Sequence, residues 1–152
     1  MERIASFQVD HNKLRPGLYL SRQDGSVVTY DLRFKTPNTG DLLTNAEMHS
    51  VEHIIATLLR NSEARDAVIY FGPMGCQTGF YFLFDGSRLS HTQAIELLRS
   101  VFAAGAAFEG EMPGKSAVEC GNYRNLEVSL AKAQCAYYAQ VISGWTEEQL
   151  AY

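Results

Sequence analysis

The sequence predicts an α+β fold in which an antiparallel sheet of about four strands is backed by helices. Three observations support this prediction. Four short segments have the alternation or composition of strands, three longer segments have helical periodicity, and the two kinds do not follow the regular order of a parallel βαβ protein. The length of 152 residues fits a single domain, residues 1–152, with a core that needs no disulfide or metal to stabilise it.

The strands are predicted from alternation and from turn residues. The segment VVTYDLRF (27–34) alternates between apolar and polar side chains, which is typical of a half-buried strand. Its two faces carry Val28, Tyr30, Leu32 and Phe34 on one side, and Thr29, Asp31 and Arg33 on the other. The turn pair Asp24-Gly25 and the earlier apolar segment GLYLS predict a hairpin. Two further strand-like segments, AVIYF (67–71) and GFYFLF (79–84), flank the turn-rich piece GPMGCQT.

Helices are predicted where capping residues precede apolar periodicity. Thr44 and Glu47 have the spacing of a capping box, and Ser90 and Gln93 repeat it. Each pair therefore marks the start of a helix.

A third periodic stretch runs from about Leu126 to Ile142 and ends near Gly144, a residue type that commonly terminates helices. The long connection before it, 109–123, has no periodicity. We expect an irregular loop there.

Composition and charge narrow the class of function. The formal net charge is -4 and the 13 Lys and Arg are dispersed, so the sequence lacks the basic patch of a nucleic-acid or anionic-membrane binder. The N-terminus has no apolar signal segment, and the longest uncharged apolar stretch, 101–108, is too short to span a bilayer. Three cysteines without a secretion signal predict reduced thiols. We expect a cytoplasmic protein with small-molecule or protein partners.

The segment HSVEH places two histidines and a glutamate on one face of the predicted helix. Relative to His49, Glu52 projects about 60° to one side and His53 about 40° to the other. The opposite face is apolar and carries Val51, Ile54, Ile55, Leu58 and Leu59. Two imidazoles one turn apart can chelate one divalent ion, and the carboxylate can act as a base, as in the inverted zincin pattern H-x-x-E-H. Two surface histidines beside a solvated glutamate remain an alternative.

Two cysteines are candidates for the same site. Cys120, in the long connection, would complete a set of two nitrogens and one thiolate, which suits Zn(II) or Fe(II) and leaves one position open. Cys76 lies in a glycine-rich turn that can present its sulfur to a pocket, where a thiolate can serve as acid or base. An inert Cys120 and a spectator Cys76 are the alternatives.

Taken together, these segments resemble the LuxS family, the S-ribosylhomocysteine lyases. The resemblance runs, in order, through SFQVDHNK, YDLRFKTPN, HSVEH, PMGCQTGFY and CGNYR, and covers most of the first 125 residues. Several motifs in order are far more specific than H-x-x-E-H alone. The resemblance implies a small α+β homodimer with active sites at the subunit interface.

The resemblance also implies a role for each matched residue. The positions that match the family's metal ligands are His49, His53 and Cys120. Those that match its acid/base residues are Glu52 and Cys76. Those that match substrate-binding positions, some contributed by the neighbouring subunit, are Ser6, His11 and Arg33. The implied metal is Fe(II), with zinc or cobalt as replacements.

The implied reaction begins with S-ribosylhomocysteine. The sugar carbonyl migrates from C1 to C3, and β-elimination then expels homocysteine. The other product is 4,5-dihydroxy-2,3-pentanedione, the precursor of the autoinducer-2 signal.

Two pairs of residues depart from the family pattern. Tyr70 and Gly72 stand where the family commonly has Asp and Ser, and that Asp would ordinarily help to hold the polar end of the homocysteine portion. Asn125 and Leu126 stand where many members have Asp-His.

Two other functions fit part of the pattern. An inverzincin-type metallopeptidase would take a carboxylate as third ligand, and Glu127, 74 residues past His53, is the candidate. That scheme gives PMGC and CGNY no role. A non-enzymatic zinc-binding sensor would close the coordination shell with Cys76 as a fourth ligand.

Overall fold

The computed structural model describes residues 1–152, which form four strands and three α-helices joined by loops and short 3₁₀ turns. The strands are β1 (Gly17–Asp24), β2 (Val27–Arg33), β3 (Val68–Pro73) and β4 (Gly79–Asp85). The helices are α1 (Asn45–Arg60), α2 (His91–Ala106) and α3 (Val128–Val141). The predicted α+β class is confirmed. None of the helices combines the length and the apolarity needed to cross a membrane.

The four strands form one antiparallel sheet in the order β1-β2-β4-β3. The β1–β2 hairpin turns at Gly25, whose φ of 61° is a left-handed conformation that glycine adopts without steric cost. The β3–β4 hairpin turns through residues 74–78, where Gln77 has a φ of 63°. The predicted β1–β2 hairpin is therefore present, and the turn-rich piece GPMGCQT forms a second hairpin, which carries Cys76.

The helix starts follow the predicted capping boxes. In α1 the Glu47 N–H donates to Thr44 Oγ1 at 3.1 Å, and the Thr44 N–H donates back to Glu47 Oε2 at 3.4 Å. Ser90 and Gln93 make the same reciprocal pair before α2. The third helix starts at Val128 rather than near residue 126, because a 3₁₀ turn at Tyr123–Asn125 precedes it.

The helices cover one face of the sheet. The apolar face of β2 packs beneath them, and the Phe34 ring stacks on Tyr138 of α3 with centroids 4.2 Å apart. The face of α1 opposite the histidines is buried as predicted at Val51, Ile54, Ile55 and Leu59, while Leu58 is only partly buried. This packing fixes α1 against the core and leaves the opposite face of the helix, which carries the histidines, turned away from the core.

The prediction that β2 is half-buried is wrong. Thr29, Asp31 and Arg33, on its polar face, are only 9%, 1% and 3% exposed. The Arg33 guanidinium donates to both carboxylate oxygens of Asp31 at 3.1 and 2.6 Å, and Tyr152 Oη donates to Asp31 Oδ2 at 2.7 Å. These polar groups can be buried because they satisfy one another, so alternation of polarity identified the strand but not the environment of its second face.

Candidate active site: a ligand cluster and a thiol cavity

Three candidate ligands converge at the polar face of α1. The ligand atoms of His49, His53 and Cys120 all lie within 4.8 Å of one another. The two histidines are one helical turn apart, and Cys120 reaches them from the irregular loop between α2 and α3. Its Sγ lies 3.3 Å from His49 Nε2. Ligands around a tetrahedral zinc-type ion would place sulfur and nitrogen about 3.5 Å apart, so the spacing suits one divalent ion.

Hydrogen bonds fix which ring nitrogen of each histidine is free. His49 Nδ1 donates to Asn125 Oδ1 at 2.6 Å, and His53 Nδ1 donates to the carbonyl oxygen of Pro113 at 2.8 Å. Because both acceptors are carbonyl oxygens, each Nδ1 carries the proton and each Nε2 keeps its lone pair. Histidines that bind metals are usually held in this way. The residues present therefore fit a metal ion with two nitrogens and one thiolate.

Glu52 lies between the two histidines in sequence and on the same face of α1. It is partly buried and makes no side-chain hydrogen bond or ion pair in the chain. It is not one of the three clustered ligands. A carboxylate beside a metal site that is not engaged elsewhere is free to exchange protons with a bound molecule.

The second group of predicted residues surrounds a cavity of about 290 Å³ over the other face of the sheet. The predicted residues that line it are Ser6, His11, Arg33 and Cys76. Cys76 Sγ lies 3.8 Å from Arg33 Nη1 and 3.1 Å from Thr78 Oγ1. A guanidinium beside a sulfur attracts negative charge that develops there. The cavity therefore combines a thiol with a nearby fixed cation.

Arg33 is held in place by Asp31 and also lines the cavity, where a ligand can reach it. Burial by itself lowers the pKa of Arg33, but its hydrogen bonds to Asp31 and that residue's charge raise the pKa above its usual value. The side chain is thus a permanent cation. Removing one partner of a buried ion pair typically costs about 3–5 kcal/mol of stability. Truncation of Arg33 would therefore disturb the fold as well as any substrate contact.

The two groups are separate within one chain. No hydrogen bond joins the ligand cluster to Cys76, and neither Glu52 nor a clustered ligand lines the thiol cavity. The cluster lies on the helical layer, whereas the cavity lies over the opposite face of the sheet. One chain thus forms two separate groups. The first contains the predicted metal ligands, and the second contains the predicted substrate-binding residues together with Cys76.

Several residues of these sites had no assigned role in the sequence analysis. Asp31, Tyr81 and Tyr152 also line the thiol cavity, and Asn125 orients His49. The polar position of Asp31 on an alternating strand and the departure at Asn125 were visible in the sequence. Tyr152 lies 121 residues from Asp31, and no local pattern connects them.

The departures at residues 70 and 72 are coupled. The ring and hydroxyl of Tyr70, which is half-exposed on β3, occupy the space that a Cβ at Gly72 would need. A serine at residue 72 would therefore displace the tyrosine. Glycine at residue 72 therefore leaves the space that the Tyr70 ring occupies.

The residues required by the two other functions lie outside the cluster. Glu127 is exposed at the start of α3, where its backbone N–H donates to Ser50 Oγ at 3.0 Å. Cys76 belongs to the thiol cavity. One chain therefore supplies neither the carboxylate ligand of a peptidase nor the fourth ligand of a closed zinc site.

The chain is similar to known proteins over its whole length. The sequence model of the S-ribosylhomocysteinase (LuxS) family matches residues 4–149. The S-ribosylhomocysteine lyase of Desulfotalea psychrophila is 47% identical over 158 aligned residues, which cover 100% of this chain and 99% of the relative. The proteins of the same name from Finegoldia magna and Borrelia garinii subsp. bavariensis are 44% and 43% identical with the same coverage.

Proposed function

The chain belongs to the S-ribosylhomocysteinase (LuxS) family, and from this premise we propose that it is a carbon–sulfur lyase that cleaves S-ribosylhomocysteine. The products are homocysteine and 4,5-dihydroxy-2,3-pentanedione. The observation that carries the proposal is the cluster of His49, His53 and Cys120, with both Nδ1 atoms held by acceptors outside the cluster and no fourth protein ligand in the chain. Such an open site suits a metal that must also contact a substrate.

The ion that we propose for this site is Fe(II), with zinc or cobalt able to replace it. A donor set of two imidazoles and one thiolate suits each of these ions. When bound, the metal supplies Lewis-acid polarisation of the sugar carbonyl, which acidifies the adjacent C–H bond.

Glu52 and Cys76 are proposed to move the protons. The carbonyl must shift from C1 to C2 and then to C3, and each shift removes a proton from one carbon and delivers one to its neighbour. Glu52 exchanges protons as a carboxylate or carboxylic acid, and Cys76 does so as a thiolate or thiol. Loss of the C4 proton then expels the homocysteine sulfur from C5, so electrons are redistributed and no external oxidant is required.

The remaining predicted residues hold the substrate. His11 Nδ1 lies 2.9 Å from the carbonyl oxygen of Val9 and so donates to it, which leaves Nε2 as an acceptor for a substrate hydroxyl. The Ser6 hydroxyl can donate or accept at the same cavity. Arg33 presents its charge beside Cys76 while Asp31 and Thr78 fix its orientation.

We infer that the catalytic site is completed in a homodimer. A proton carrier can act only within hydrogen-bond reach of the reacting atoms, but Glu52 and Cys76 belong to separate sites within one chain. A two-fold dimer would pair the cluster of one chain with the thiol cavity of its partner and form two identical sites. Exposed apolar side chains that such an interface can cover include Ile4, Phe7, Leu42, Ile69 and Tyr70.

Mixing two inactive variants tests the shared site. Chains with Cys76→Ala and chains with Glu52→Gln, unfolded and refolded together in equal amounts, are expected to regain about one quarter of wild-type turnover per chain. Half of the dimers would be mixed, and each mixed dimer would contain one intact site and one doubly altered site. The controls are each variant refolded alone and wild type refolded with the double variant. A mixture as inactive as its components, despite mixed dimers detected by native mass spectrometry, would place each site within one chain.

Anaerobic release of thiol from S-ribosylhomocysteine tests the activity itself. The Fe(II)-loaded protein is expected to release homocysteine, detected with a thiol reagent after removal of the protein, together with an equal amount of the dione. A peptide-hydrolysis assay under the same conditions is expected to show no cleavage. Absence of thiol release from a metal-replete dimer would contradict the proposed function.

A further inference from the structure

The Asn125 side chain connects α1 to the loop that carries Cys120. Its Oδ1 accepts the His49 Nδ1 proton at 2.6 Å, and its Nδ2 donates to Asn45 Oδ1 at 2.7 Å. Asn45 is the first residue of α1, and Asn125 ends the 3₁₀ turn that follows Cys120. Two hydrogen bonds in opposite senses therefore join segments that lie 76 and 80 residues apart in sequence.

These two contacts determine the orientation of the amide. Because Nδ2 donates to Asn45, Oδ1 is the atom directed at His49, and a carbonyl oxygen can only accept. The His49 ring therefore carries its proton on Nδ1 and directs the Nε2 lone pair at Cys120, 3.3 Å away. His53 obtains the same orientation from the backbone carbonyl of Pro113, which no side-chain substitution removes. Only the His49 contact depends on a replaceable side chain.

We propose that Asn125 is a positioning residue for the metal centre. It holds the His49 ring in its ligating orientation and fixes the Cys120 loop against α1, so that two of the three ligands are arranged before the ion arrives. The inference rests on the proposed function only in taking the cluster to be a metal site. Outer contacts of this kind typically change metal affinity by about 10- to 100-fold.

The amide at residue 125 also adds no charge to the centre. An aspartate there would keep an acceptor for His49 and would strengthen the imidazole as a ligand, because a carboxylate accepts the Nδ1 proton more strongly than an amide does. It would lose the donor to Asn45. We expect metal affinity to depend more strongly on the acceptor for His49 than on the contact with Asn45.

Titration of the metal-free protein with Co(II), with a competing chelator and without oxygen, tests the inference independently of activity. Asn125→Ala is expected to weaken Co(II) binding about 10- to 100-fold and to alter the visible d–d bands, which report ligand geometry. Asn125→Asp is expected to bind at least as tightly as wild type. The matched control is Asn122→Ala in the same loop, because its exposed side chain makes no hydrogen bond, and we expect wild-type binding.

A second variant covers the case in which Asn125→Ala does not fold. Asn45→Ala removes the anchor of Asn125 without touching the cluster, and we expect weaker Co(II) binding by a smaller factor in the same direction. Wild-type affinity and spectrum in Asn125→Ala, or equal losses in Asn125→Ala and Asn125→Asp, would overturn the positioning role. Failure of the wild-type protein to bind Co(II) would instead overturn the metal site of the proposed function, and this inference with it.

Discussion

Replacing Cys76 with alanine is expected to lower kcat for thiol release by about 10²- to 10⁴-fold, the usual contribution of one general acid or base. The metal content should not change, because Cys76 is not one of the clustered ligands. Stability should change by no more than about 0.5 kcal/mol, because the side chain is exposed in a turn and packs in no core. The loss would therefore be one of chemistry rather than of folding.

The measurement is the steady-state rate of homocysteine release by wild-type and Cys76→Ala proteins at matched metal content. The control for loss of a thiol is Cys135→Ala. Cys135 lies in the core, and burial raises the pKa of its thiol to about 12, so the thiol stays protonated. Its truncation should lower the melting temperature without changing turnover. Near-wild-type turnover by Cys76→Ala would refute the assignment of Cys76 as a proton carrier.

Replacing Glu52 with glutamine is expected to reduce kcat by a similar factor, about 10²- to 10⁴-fold, while the protein keeps its metal. Glutamine has nearly the same shape but cannot carry a proton between substrate atoms. The fold should tolerate the change because the Glu52 carboxylate has no hydrogen-bond partner in the chain. The exposed residue Glu96 on α2 offers the control Glu96→Gln, for which we expect wild-type turnover.

Metal content measured by mass spectrometry separates the possible roles of Glu52. Retained metal with lost turnover supports the acid/base assignment, whereas loss of the ion would make Glu52 a ligand or a structural residue. A second readout is uptake of deuterium into recovered substrate in D₂O. If Glu52→Gln is blocked at elimination, substrate carbons should still exchange protons although no homocysteine appears.

Local features of this protein follow from the sequence because short-range geometry decides them. The reciprocal hydrogen bonds of Thr44 and Glu47 need only three residues of separation, and Gly25 supplies a turn conformation that other residues adopt at a cost. The separation of His49 from His53 by one helical turn places both rings on one face of α1. The α+β class, the first hairpin and the two-histidine half of the ligand cluster were predictable for this reason.

Contacts between distant segments depend on how the elements pack, and only the tertiary structure decided them. Alternation in β2 predicted a polar face but could not show that Arg33 and Tyr152 would bury Asp31, because Tyr152 lies 121 residues away. In the same way, Asn125 became the partner of His49 only when the loop before α3 folded against α1.

The separation of Cys76 from Glu52 is likewise a property of the layers. Cys76 lies on the β3–β4 hairpin over one face of the sheet, whereas Glu52 lies on α1, which packs against the opposite face. Sequence motifs identify which side chains carry the chemistry, because residue type and local spacing set their chemical capacity. Which of them meet depends on the packing of the sheet and helices, since those contacts join residues that no local hydrogen bond or periodicity relates.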